Sequence, residues 1–307
     1  MQFDGFLFFI IVITIGYLAV KIKLVPESIT DSLPSLLLNV CFPAMLFVNF
    51  AASDKDELLH SGLPTVIVTL IFSLLPFIIS IPLTRKTDLS RRPLIRYISG
   101  IGNTSFVCIP LLSLFLTSSE MSIVFIHGAV MDLLIWGVHQ QIFIGSSSNS
   151  KKEMIIKVLK TPNIYAVILG ICFSVFSIKI PGFLQYTLDG LAASVSPISL
   201  LFIGMLICRY GLFGWIKNKF AIFYSLYKVL LLPLIVFAAL YFILPLKMAF
   251  ILAIVLGSPA PISAVLWCKQ YGKDTKLAVE ALIPSTILYF AIMGPLLVIL
   301  TSTGVLG

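Results

Sequence analysis

Charge is scarce in this sequence. Only 11% of its 307 residues are Asp, Glu, Lys or Arg, 59% are apolar or aromatic, and the mean hydropathy is +1.08. Soluble chains average about 25% charged residues, and a soluble domain of this length could not bury so much apolar surface. That excludes a soluble enzyme, a nucleic-acid-binding domain and a disordered tail protein. The apolar residues run in long unbroken blocks, whereas an outer-membrane barrel would alternate apolar and polar positions. The five cysteines, Cys41, Cys108, Cys172, Cys208 and Cys268, form no CxxC pair. Neither a metal site nor a disulfide framework is indicated, and they read as small buried hydrophobes. A GxxxxGK[ST] loop and an HExxH motif are both missing. Asp132 has no second aspartate at membrane depth with which to form a catalytic dyad. No enzyme activity and no cofactor are therefore expected. No basic segment precedes the first apolar stretch, which Asp4 opens, so that stretch reads as a retained span rather than a cleavable signal.

What is present is a series of ten apolar blocks of about 20 residues each. They fall at 4–22, 30–52, 63–83, 94–116, 121–144, 163–179, 186–208, 220–245, 248–269 and 278–301. The expected fold is an all-α integral membrane protein with ten transmembrane helices. The net charge of +8 then belongs to cytoplasmic loops rather than to a nucleic-acid surface. With the N-terminus outside, the inner loops hold Lys21 and Lys23; Arg85, Lys86, Arg91, Arg92 and Arg96; Lys151, Lys152, Lys157 and Lys160; Arg209, Lys217 and Lys219; and Lys269, Lys273 and Lys276. The outer loops hold only Lys55, Lys179 and Lys247. This imbalance supports both the span number and an orientation with both termini extracytoplasmic.

The two halves match at an offset near 154 residues: Gly16 with Gly170, Pro26 with Pro181, Pro43 with Pro197, Gly102 with Gly257. The halves are 1–145 and 162–307, joined by a cytoplasmic linker at 146–161. Five spans per half force the second half to insert upside down, which gives inverted repeats of the kind that support alternating access. The fourth and ninth spans carry breakers at their centres, SGIGNTSFVCIPLL and VLGSPAPISAV. Asn103, Thr104 and Ser105 look like N-caps of a restarted helix, and Ser258 followed by Pro259 has an Ncap–N1 pattern. Two restarted half-helices running in opposite directions would aim unpaired N–H groups and positive dipole ends at the midplane, where they favour an anion.

At these residues the sequence resembles the auxin efflux carrier family, within the bile-acid/auxin/arsenite transporter superfamily. The matching segments are LLLNVCFPAMLF (36–47), GNTSFVCIPLL (102–112), TPNIYAVILG (161–170), ASVSPISLLFIGMLI (193–207) and AVLWCKQYG (264–272). They cover nearly the whole chain in the family's order. The resemblance implies crossing fourth and ninth helices and a substrate such as auxin, malonate or another small carboxylate. The short linker points to a bacterial-type member, and Ser263 stands where the family often has Asn. A homodimer through the second and seventh spans is an option raised by the family alone.

The expected substrate-binding residues are Asn39, Gly102, Asn103, Thr104, Ser105, Ser258, Pro259 and Ser263. Asn39, four residues before Pro43, could contact a ligand or bond the carbonyls that the proline frees. Asp132, at the centre of the fifth span, is a functional candidate by position. Trp136 and His139 follow at helical spacing, whereas His127 lies off that face. Asp132 and His139 are the candidates for proton coupling; proton and sodium coupling both stay open. Lys228, within the eighth span, is expected to snorkel toward the cytoplasm. Glu280 reads as an interfacial cap, and His60 falls in an outer loop. The expected function is a secondary transporter of small organic anions in the cell membrane. A channel or a membrane sensor module is the competing reading.

Overall fold

The computed structural model describes residues 2–53, 55–139, 142–143 and 162–307, with side chains omitted at 2–6, 55–59 and 136–137. The linker expected at 146–161 lies outside the described residues, as does the side chain of Trp136. Among the described residues all regular structure is helical. We label the helices α1 (Gln2–Lys21), α2 (Ile29–Ala52), α3 (Lys55–Leu83), α4 (Arg92–Gly100), α5 (104–112), α6 (Ser118–Leu134, running into a π turn Ile135–His139) and α7 (Pro162–Val175). They continue as α8 (Gly182–Tyr210), α9 (Lys219–Leu240), α10 (Leu246–Leu256), α11 (Ile262–Gln270) and α12 (Thr275–Ser302). Among the described residues five stretches are long and apolar enough to cross a membrane: Ile29–Ala52, His60–Leu83, Gly182–Tyr210, Lys219–Leu240 and Thr275–Ser302. Leu7–Lys21, Pro162–Val175 and Leu246–Leu256 are shorter apolar helices.

Helix α3 presents its small polar residues to the protein and its large apolar ones to the outside. Thr65, Thr69 and Ser73 are fully buried, while Leu63, Ile67, Ile71, Leu75 and Ile78 are exposed. In water this arrangement would be inside out. In lipid it is favourable, because the hydroxyls need protein partners and the apolar face needs none. The helix begins at Lys55, so His60 is an exposed helical residue rather than part of a loop.

Three π turns precede prolines: Leu37–Cys41 before Pro43, Thr104–Cys108 before Pro110, and Tyr227–Leu231 before Pro233. Proline has no N–H to bond the carbonyl four residues back, and its ring collides with that carbonyl. Widening the preceding turn relieves the clash without ending the helix.

Small residues bring helices into contact. A Cβ on Gly16 of α1 would collide with the carbonyl oxygen of Leu201 on α8. A Cβ on Gly170 of α7 would lie 2.9 Å from the carbonyl oxygen of Phe47 and 2.7 Å from the Phe50 Cβ, both on α2. Backbones this close are the usual means by which helices associate in lipid. Gly16→Val is expected to lower stability by about 1–3 kcal/mol through overpacking. A thermal melt of the purified variant checks this, and an unchanged melting temperature would mean that α1 is not held against α8.

Ion pairs join distant segments at the helix ends. Asp31 of α2 pairs with Arg209 of α8 at 3.0 Å and with Lys269 of α11 at 2.9 Å, and Arg91 pairs with Asp274 at 2.8 Å. Elsewhere Glu120 pairs with Lys247 at 3.2 Å and accepts from the Gly307 N–H at 3.1 Å. Glu120 also completes a capping box with Thr117 at the start of α6. Asp274, rather than Glu280, caps α12, accepting from the Leu277 N–H at 2.9 Å. Glu280 instead accepts from the Asn218 side chain.

Candidate functional site

The interruptions at 101–103 and 257–261 touch each other. The Asn103 N–H donates to the Pro259 carbonyl at 2.8 Å, joining the two backbones directly. Gly102 packs on Ser258 so closely that a Cβ would land on the Ser258 hydroxyl. The Ala260 N–H donates to Ser285 Oγ of α12 at 3.1 Å. Nonhelical backbone is tolerated at membrane depth when protein groups satisfy it in this way.

The second restart differs from the expected Ncap–N1 pattern. Ser258 and Pro259 lie in the nonhelical break, and α11 begins at Ile262 after Pro261. Each of Ser258 and Ala260 precedes a proline, which disfavours the α conformation, so the helix can form only beyond the second proline. Asn103 does stand at the head of α5, at φ −90° and ψ 64°, but its side chain makes no capping bond.

A cavity of about 100 Å³ opens beside this contact. That is well above the ~10–15 Å³ a single water needs. Gly102, Asn103, Thr104 and Ser105 form one wall, Pro261, Ile262 and Ser263 a second, and Asp132 of α6 a third. The first turns of both α5 and α11 therefore line one space. Asn103 and Thr104 are each 3% exposed, and Asn103 Nδ2 and Thr104 Oγ1 have no hydrogen-bond partner among the described residues. Buried polar groups are usually bonded, so two orphans on one cavity make it the candidate site. Among the described lining residues there is no cationic side chain. Attraction for an anion would come from amide, hydroxyl and backbone N–H groups and from the helix dipoles.

Asp132 also borders a second cavity of about 200 Å³ between α6 and α7. Its Oδ2 accepts from Asn163 Nδ2 of α7 at 2.9 Å, and Asn163 lines only the second cavity. Ser263 Oγ is bonded to the Tyr97 hydroxyl at 2.6 Å, and the Tyr97 ring lies 4.9 Å from that of Trp267, which lines the cavity.

Four expected residues do not line this cavity: Ser258 and Pro259, which touch Gly102 and Asn103 from the other break, and Asn39 and His139. Asn39 is exposed and donates to the Ser35 carbonyl at 2.8 Å, outside the cavity, rather than to the Asn39 carbonyl that Pro43 leaves without a partner. His139 is buried, bonded through Nδ1 to the Leu134 carbonyl at 3.0 Å and packed on the Phe77 ring at 4.8 Å. The π turn Ile135–His139 inserts a residue into the helix and rotates His139 off the face of Asp132. Lys228 does not snorkel; it is fully buried. Tyr97 and Trp267 were missed, because single aromatics inside apolar blocks look like packing residues. Asn163 carried a usable signal, a lone amide one residue into an apolar helix.

A family model described as membrane transport protein matches residues 4–297. No curated protein matches the chain.

Proposed function

The chain belongs to the membrane transport protein family, the auxin efflux carrier family that its sequence resembles, and from that premise we propose that it is a secondary transporter moving small organic anions by alternating access. It is a multi-pass membrane protein of a transporter family. The observation that carries the anion reading is the meeting of the α5 and α11 first turns at one cavity, with Asn103 Nδ2 and Thr104 Oγ1 buried and unpartnered there. A carboxylate would take these donors and the positive helix ends together.

The same reading treats the chain as ten spans in two inverted repeats, 1–145 and 162–307, with the fourth and ninth spans broken and crossing. In support, the Gly16–Leu201 contact maps onto Gly170–Phe47 when each residue is moved by 154 positions. The ion pairs also respect the proposed sides. Arg209 and Lys269, both assigned inside, share Asp31 at the start of the second span, and Arg91, also inside, pairs with Asp274 in the loop before the tenth. Residues assigned outside, Glu120 and Lys247, pair together and hold the C-terminal Gly307. Both termini are then extracytoplasmic in the cell membrane.

Asp132 sits on the wall of a site proposed for an anion, and its ionised form would repel such a ligand. Proton coupling is placed at this carboxyl. Asp132→Asn is expected to flatten the pH dependence of transport while keeping the bond partnership with Asn163. Initial rates in liposomes across pH test this, and a profile matching the native protein would make Asp132 structural. The substrate is tested by melting the purified protein with mono- and dicarboxylates, aromatic acids, and neutral and cationic controls. A ligand at 100 times its Kd stabilises by about 2.7 kcal/mol. Stabilisation confined to certain carboxylates is expected; a response only to neutral or cationic solutes would overturn the anion reading.

A further inference from the structure

The crevice between α6 and α7 joins an apolar rim to a buried polar pair. Leu133 of α6 and Ile168 of α7 line it and are 45% and 53% exposed. In a multi-pass membrane protein that exposure is to lipid. Ile164 and Val167 add apolar lining. Asp132 and Asn163 also line the space, and they are 7% and 3% exposed. Asn163 Nδ2 donates to Asp132 at 2.9 Å, but Asn163 Oδ1 has no hydrogen-bond partner among the described residues. A buried acceptor without a donor is costly, and lipid tails supply none. Among the described lining residues of the two cavities that Asp132 borders, Asp132 is the one titratable group and no side chain is cationic. Tyr97 of α4 lies within electrostatic range of it and is bonded to Ser263. His127 and His139 on its own helix are bonded to Thr69 and to the Leu134 carbonyl.

Amide chemistry narrows the occupant. A side-chain amide offers two N–H donors and an acceptor oxygen. Asp132 takes one donor, and the free Oδ1 requires a donor from elsewhere. An un-ionised carboxylic acid carries an O–H and a carbonyl side by side, and so matches an amide's acceptor and its second N–H together. A carboxylate has no donor, and Asp132 would repel it when ionised. An ammonium has no acceptor, and an ester has no donor. The space of about 200 Å³ is roughly six to seven times a water's share of the liquid, which is room for a short alkyl chain along the apolar lining.

We propose that this crevice is a second ligand site, which takes the un-ionised form of a short-chain carboxylic acid from the lipid and hydrogen-bonds it to the Asn163 amide. Asp132 is the wall it shares with the first cavity. The two spaces thus take two protonation states of one chemistry, the anion at the α5 and α11 first turns and the neutral acid between α6 and α7. That pairing rests on the proposed anion site; the crevice by itself does not.

The test melts wild type and Ile168→Trp in lipid nanodiscs with hexanoic acid, methyl hexanoate or succinate, at pH 5 and pH 8. The tryptophan fills the crevice from its lipid side and removes no hydrogen bond. With a pKa near that of a glutamate side chain, about one hexanoic acid molecule in six is un-ionised at pH 5 and about one in 5,000 at pH 8. At pH 5 hexanoic acid is expected to raise the wild-type melting temperature on the order of 2 °C more than that of Ile168→Trp. At pH 8 the two proteins are expected to respond alike. Succinate, which is too polar to enter from lipid, and methyl hexanoate, which has no donor, should also act on both alike. Equal responses to hexanoic acid at pH 5, or a methyl ester response that Ile168→Trp loses in the same way, would overturn the inference. If Ile168→Trp does not fold, Leu133→Trp takes its place. If neither folds, a wild-type shift at pH 5 no larger for hexanoic acid than for its ester overturns it. Stabilisation by succinate with equal hexanoic acid responses would remove the crevice site and leave the anion reading standing. The hexanoic acid difference without any response to succinate or other carboxylate anions would do the reverse.

Discussion

Asn103→Ala is expected to reduce transport by about 100-fold, the upper end of what a lost hydrogen bond to a charged ligand removes. Folding should be retained. The Asn103 side chain makes no capping bond, and its Nδ2 has no partner among the described residues, so its removal takes away no described donor bond. The backbone N–H, which holds the two breaks together through the Pro259 carbonyl, survives the substitution. The check is a pair of measurements on one preparation: a melting temperature close to wild type and a flux near that of empty liposomes. Normal flux would remove the crossover cavity from the mechanism. A lowered melting temperature with proportionate flux would make Asn103 a structural residue. Thr104→Val is the companion test at the other unpartnered group.

Gly102→Val is expected to have the largest effect on stability. Its Cβ would occupy the position of the Ser258 hydroxyl, and the strand of backbone on either side is tied by the Asn103–Pro259 bond. Rotation of the hydroxyl relieves only part of the clash, because the Ser258 carbonyl oxygen at 3.1 Å and Cβ at 3.2 Å remain, and the Asn103–Pro259 bond opposes separation of the two breaks. Overpacking of this kind costs typically 1–3 kcal/mol, and losing the buried bond adds about 1–3 kcal/mol more. The origin of the effect can be isolated with a smaller change. Gly102→Ala should be destabilising alone and should recover in large part when combined with Ser258→Gly, which removes the hydroxyl it strikes. Coupling energies between touching residues run at about 0.5–3 kcal/mol. Strict additivity of the two substitutions would mean that the breaks are not in contact.

These expectations rest on parts of the molecule that the sequence made legible to different degrees. The breaks were readable because Gly, Asn and paired prolines in an apolar block have few other uses, and both reappear as nonhelical backbone at 101–103 and 257–261. Gly16 and Gly170 stood out as a matched pair, though only the structure says what each touches. The exact restart of α11 was misplaced because the Ser258–Pro259 pattern was considered without the second proline two residues on. A regular 3.6-residue period puts His139 on the face of Asp132, but His139 lies in the π turn Ile135–His139, and that period assigns the wrong face once a residue is inserted. Asn39, singled out by its spacing to Pro43 and by the family resemblance, lies in the π turn Leu37–Cys41 and outside the cavity. Lys228 also lies in such a turn. Its distance from the cytoplasmic end allowed a snorkelling chain, and nothing local announced that it would stay buried. Tertiary neighbours such as Asn163 for Asp132, or Tyr97 for Ser263, depend on which helices meet, which one sequence does not specify.

The most direct test of carrier action is counterflow. Liposomes containing the purified protein are loaded with an unlabelled carboxylate that raises its melting temperature, then diluted into a trace of the labelled compound. A transporter that alternates around one crossover site will accumulate label transiently above its outside concentration, saturably, and Asn103→Ala will abolish the overshoot. Label that only equilibrates, at a rate proportional to concentration and indifferent to the unlabelled load, would identify a channel and contradict alternating access.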